Sequence, residues 1–77
     1  MKYSPNDIVV NKNQDIGMLF FKVISQISKE NIRVSLLEKT GDYMMISCRE
    51  EEVILGDYYR LATKEEINHL NKRLTFK

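Results

Sequence analysis

Seventy-seven residues with 43% hydrophobic content make one small domain, and a chain of that length buries only about 60% of its unfolded surface, so its core is thin. Twelve Lys and Arg face eleven Asp and Glu, a net charge of +1, well below the basic excess of a dedicated polyanion binder. A single cysteine, Cys48, excludes an internal disulfide and a multi-cysteine zinc site, and a lone thiol fits a reducing compartment.

Pro5-Asn6-Asp7 is turn chemistry. The β-branched run Ile8-Val9-Val10 follows as a first strand, then a polar loop through Asp15. Gly17 opens the longest strand candidate, Met18 to Ile27. Leu19, Phe21, Val23 and Ile27 lie on one parity and Met18, Phe20 and Ile24 on the other, so both faces are partly apolar. A helix is the competing reading, and the β-branched and aromatic content argues against it. A long two-faced strand suits a strongly curled sheet in which one strand serves both halves of a barrel.

Ile32, Val34 and Leu36 alternate with Arg33 and Ser35, the clearest period-two pattern in the chain. Lys39-Thr40-Gly41-Asp42 reads as a hairpin loop with Gly41 at positive φ. Tyr43 to Arg49 reads as the returning strand, with Met44, Ile46 and Cys48 inward. Glu50-Glu51-Glu52 reads as an acidic corner, and Val53-Ile54-Leu55 as a short last strand stopped by Gly56-Asp57. Thr63 and Glu66 then have the spacing of a capping box, and Ile67, Leu70 and Leu74 form one helical face. Glu65 and Glu66 near the start and Lys72 and Arg73 near the end suit the helix dipole. The helix is too short to persist alone in water, so its apolar stripe must dock. The expected architecture is mainly β: a five-stranded barrel over about 7–57 and one C-terminal helix over about 63–74, in one domain spanning 1–77.

In pattern the chain resembles the small Src-homology, KOW and Tudor-type barrels. It is most similar to the tiny barrel proteins of phages and mobile elements, through Tyr3-Ser4-Pro5-Asn6-Asp7-Ile8-Val9-Val10 at one end and Tyr59-Arg60-Leu61-Ala62-Thr63-Lys64-Glu65-Glu66-Ile67 at the other. The resemblance implies a Src homology 3-like barrel and a binding module rather than an enzyme. At class level it implies a phage-encoded inhibitor of a host defence or nucleic-acid-processing protein, working in the host cytoplasm. The first seven residues hold no apolar segment of signal-peptide length. The run Ile16 to Ile27 is interrupted by Lys22, Ser25 and Gln26 and is shorter than the roughly 20 residues of a membrane helix. A cytoplasmic protein without membrane contact is therefore expected.

No Gly-rich phosphate loop, nucleophile elbow or metal-binding helix motif occurs, so no cofactor, no metal and no catalytic residue is assigned. His69 is the only histidine and reads as a surface helical residue. Cys48, at an inward strand position, reads as a small hydrophobe rather than a nucleophile. Glu50-Glu51-Glu52 reads as a solvated turn, with a phosphate-mimicking surface, joined by Asp42 and Asp57, as the sharper alternative. Tyr43, Tyr58 and Tyr59 fall near strand ends, where each either caps the core or stacks on a ligand. Lys22, Lys29, Arg33 and Arg49 are either scattered solubilising charge or, with Tyr43, a stripe for single-stranded nucleic acid. The partner-binding candidates are Tyr43, Tyr58, Tyr59, Arg33 and Arg49. They favour a non-enzymatic protein-interaction module, with an RNA- or DNA-binding small barrel as the alternative and self-association in keeping with a thin core.

Overall fold

The β-branched and aromatic runs become strands and the capped segment becomes the helix. The computed structural model describes residues 3–47 and 49–75, the last three as backbone only. The strands are β1 (Ile8–Asn11), β2 (Leu19–Gln26), β3 (Asn31–Lys39), β4 (Glu51–Leu55) and β5 (Tyr59–Leu61), followed by helix α1 (Lys64–Thr75). Two 3-10 helices, Gly41–Met45 and Gly56–Tyr58, precede β4 and β5. The strands form one antiparallel sheet in the order β4-β3-β2-β1-β5.

The two-faced character of β2 is explained by two separate apolar layers. Phe21 and Val23 join Val9, Leu19, Ile32, Val34, Ile54 and Tyr3 on the inner face. Phe20 joins Val10 on the outer face, where Leu70 of α1 seals the cluster against Ile8, Met18, Leu37 and Ala62. Strand register shifts between Phe20 and Phe21 and between Val23 and Ser25, and such irregularities bend a strand. Bending is required by the connection to β5. The outer strands of a flat five-stranded sheet would lie about 19 Å apart, whereas the four Cα steps from Leu55 to Tyr59 reach at most about 14 Å. Tyr3 then covers the inner face. Its hydroxyl donates to the Tyr59 carbonyl at 2.9 Å, with the Gly56 carbonyl at 3.3 Å as a second acceptor.

The expected barrel is corrected by this arrangement. β4 and β5 are the two edges of an open sheet, and no register joins them. Closure would need the outward groups of β5 to bond β4, and the Tyr59 carbonyl is already engaged by Tyr3.

The expected strand over Tyr43 to Arg49 is also corrected. Its first part is the 3-10 helix Gly41–Met45, and Met44, Met45 and Ile46 are exposed rather than inward. Gly41 takes φ +62°, as its hairpin reading anticipated, but it packs against the β1–β2 loop. A side chain at Gly41 would strike the Ile16 carbonyl, and one at Gly17 the Thr40 carbonyl. Asp42 N–H donates to the Ile16 carbonyl at 2.7 Å, so the chain turns away from β3 instead of pairing back along it. Pairing resumes where Leu36 N–H donates to the Glu50 carbonyl, and Glu51 and Glu52 belong to β4 rather than to a corner. Cys48, expected to be inward, lies outside the described residues.

Buried Asn11 fixes the β1–β2 loop. Its amide donates to the Asn13 and Gly17 carbonyls, and its oxygen accepts from Leu19 N–H at 2.8 Å. At α1 the capping box forms as its spacing requires: Glu66 N–H donates to Thr63 Oγ1 at 3.1 Å and Thr63 N–H to Glu66 Oε1 at 2.8 Å. Of the expected stripe, Leu70 is buried and Ile67 half-buried; the Leu74 side chain lies outside the described residues.

Candidate functional site

The helix covers one part of the outer sheet face, and the rest carries side chains from β2, β3 and β4. Register defines their neighbours. Lys22 lies between Ile8 and Ser35, and Ser35 lies beside Glu51. Arg33 lies between Ser25 and Val53. Asn31 lies beside Leu55, and its carbonyl accepts from Ile27 N–H. Because Ile54 faces the inner layer, Val53 and Leu55 must face out. Val53 is 51% exposed, Leu55 45% and Ile27 49%. Val53 lies directly beside Arg33, Leu55 two residues further along β4 and Ile27 just past the end of β2, with Lys22 and Glu51 also on the outer face.

The backbone of β4 adds a second property. Leu36 N–H bonds the Glu50 carbonyl and Gly56 N–H bonds the Glu30 carbonyl. Antiparallel ladders alternate, so the even residues from Glu50 to Gly56 direct their N–H and C=O groups to β3. Glu51, Val53 and Leu55 direct theirs away from the sheet, and no described backbone group meets them. The same parity on β1 and β5, set by Ala62 N–H to the Ile8 carbonyl and Lys12 N–H to the Tyr58 carbonyl, turns Tyr59 and Leu61 outward. Both of those carbonyls are occupied: Tyr59 by the Tyr3 hydroxyl, Leu61 by Arg60 Nη1 at 3.2 Å.

Arg60 also holds Glu66 through two hydrogen bonds, 2.8 and 3.0 Å. That fork pulls the Glu66 carboxyl down to about 2, partly opposed by its burial and assisted by Thr63. The same bond raises Arg60 above its ordinary value. This is a clamp between β5 and the first turn of α1.

The five sequence candidates do not converge. Arg33 projects from the uncovered outer face, and Arg49 is exposed in the irregular segment before β4. Tyr58 is 67% exposed on the second 3-10 helix. Tyr59 packs edge-on against Phe21, ring centroids 5.7 Å apart, and Tyr43 packs on the same inner layer. Of the supposed basic stripe, Lys22 and Arg33 share the outer face, while Lys29 sits in the β2–β3 turn and Tyr43 packs inward. His69 is exposed on α1. Sequence reasoning passed over Val53, Leu55 and Ile27. The signal was partial: alternation requires at least one of three consecutive apolar strand residues to face out, and the burial of Ile54 decides that Val53 and Leu55 do.

Among the described residues no group of three or more His, Cys, Asp or Glu is placed to hold a metal ion. No helix among them is long and apolar enough to cross a membrane. No protein-family model matches the chain, and no curated protein or solved structure is similar to it. The resemblance to Src-homology, KOW and Tudor-type barrels of phages and mobile elements is therefore withdrawn, as is the inhibitor role that rested on it. What remains is a small, mostly β domain with an open sheet and one C-terminal helix.

Proposed function

We propose that this protein is a non-enzymatic protein-interaction module that receives its partner on the uncovered part of the outer sheet face. The observation that carries this reading is the exposed apolar pair Val53 and Leu55 on the outer face of β4, with exposed Arg33 directly beside Val53 on β3 and exposed Ile27 just past the end of β2. Isolated surface hydrophobes are ordinary, whereas a contiguous apolar patch rimmed by polar groups is characteristic of interaction sites. Arginine within such a patch adds directional hydrogen bonding. Binding here needs shape and apolar contact, and no reacting group.

Nucleic-acid binding is the second reading, favoured by Lys22 and Arg33 sharing this face. Glu51 on the same face and a net charge of +1 oppose it. A photo-crosslinking residue at Val53, with Asn68 on exposed α1 surface as control, separates the two in cells of the native source. Protein adducts concentrated at Val53 and resistant to nuclease are expected. Equal adducts at both positions would reject the surface. Adducts abolished by nuclease would transfer the face to nucleic acid, whose phosphate contacts also weaken steeply with salt.

A further inference from the structure

We propose that the β4 edge accepts an extended peptide strand, added antiparallel and carrying basic residues at its C-terminal end. The proposal rests on the interaction reading above and names its partner's chemistry.

Three observations converge on this edge. The first is backbone direction: the N–H and C=O groups of Glu51, Val53 and Leu55 point away from the sheet, the arrangement that an added strand completes. The second is contrast within the same sheet. On β5 the outward carbonyls are occupied by Tyr3 and Arg60, whereas β4 is longer and carries no such guard among the described residues. Unguarded edges are uncommon, since sheets are usually protected against chance pairing. The third is the side-chain row beside the free groups. Val53 and Leu55 stand exposed on the outer face, ready to pack beside β-branched residues of a neighbouring strand.

Charge selects the occupant. Glu50 precedes the strand and Glu51 and Glu52 begin it, and none of the three has a described cationic partner. A second copy paired antiparallel would set each Glu51 opposite the other copy's Leu55 and leave its carboxylate without a countercharge. A seam of five residues is also small beside the roughly 1,200 Å² that stable specific interfaces bury. A cationic peptide supplies that countercharge. In the antiparallel sense the residue opposite Glu51 lies toward the peptide's C-terminus, so Lys or Arg belongs there. Val, Ile or Thr belongs opposite Val53 and Leu55.

The test uses a synthetic ten-residue peptide of alternating valine and threonine with two lysines near its C-terminus. A control peptide carries glutamates in place of the lysines, and another is N-methylated at alternate residues. Amide hydrogen exchange is followed by NMR on the intact protein. In the free protein the amides of Glu51, Val53 and Leu55 should exchange faster than those of Glu52 and Ile54. The lysine peptide should slow the three outward amides by roughly fivefold or more and leave the inward two unchanged. The glutamate peptide should protect less, and the N-methylated peptide not at all. Val53→Pro deletes an outward donor while sparing the β3 ladder, and should abolish protection with α1 intact; should that variant not fold, the N-methylated peptide makes the same discrimination. Absence of protection, or equal protection by both charge variants, overturns the proposal. Protection that rises with protein concentration and needs no peptide makes a second copy the occupant and overturns it too. Loss of this effect with crosslinking at Val53 retained removes the added strand and leaves the interaction module standing.

Discussion

The two edges of this sheet are built from the same antiparallel chemistry and finished differently. β5 has three residues, and its outward carbonyls are met by a tyrosine hydroxyl from the N-terminal segment and by its own arginine. β4 has five residues, an apolar pair in solvent and outward backbone groups that no described residue meets. The difference shows that edge protection here is a matter of individual side chains rather than of fold. One hydroxyl and one guanidinium separate a sealed margin from one available for contact.

Removing the guard gives the largest effect. Tyr3→Ala deletes a buried ring and its hydroxyl together and should cost about 3–5 kcal/mol in urea unfolding. The milder Tyr3→Phe keeps the ring and leaves the Tyr59 carbonyl without that donor. Its cost should be about 1 kcal/mol, with the β5 margin more prone to pairing by light scattering.

Glu66→Ala removes both the capping box and the Arg60 fork, at about 1–2 kcal/mol, read as loss of helical circular dichroism. Glu66 also sets a pH signature. Its carboxyl titrates at about 2 in the folded chain, below the ordinary 4.5. The stabilisation is therefore complete above the unfolded value and disappears as pH falls from 4.5 toward 2. The stability gap between the parent and Glu66→Gln should narrow across that window; a constant gap would assign the effect of Glu66 to packing. At the β4 margin, Val53→Thr should change stability by no more than about 0.5 kcal/mol while reducing partner crosslinking from a photo-crosslinking residue placed at Leu55. A large stability loss there would mean that Val53 belongs to the core.

Much of the fold was legible where local chemistry decides it. The alternation of Ile32, Val34 and Leu36, the β-branched start at Ile8 and the Thr63–Glu66 box all form as their spacing requires. The positive φ of Gly41 was legible too. The elements misread were those decided by distant partners. Met44 and Ile46 alternate as a strand would, but Gly41 and Gly17 pack backbone against backbone and divert the segment into a 3-10 helix. Glu51 and Glu52 look like a turn, yet the β3 ladder recruits them because their side chains reach solvent from a margin. Whether the sheet closes depended on where one tyrosine hydroxyl lands, 56 residues along the chain, and no periodicity encodes that. The uncovered face was obscured for the same reason: how far α1 extends across the sheet follows from Leu70 docking on Val10 and Phe20, a tertiary outcome.

Adjacent phenylalanines in β2 divide the molecule's cohesion between them. Phe20 belongs to the layer that fastens the helix, and Phe21 to the layer beneath Tyr3. Trimming the first loosens an appendage; trimming the second undermines the platform on which everything else is mounted.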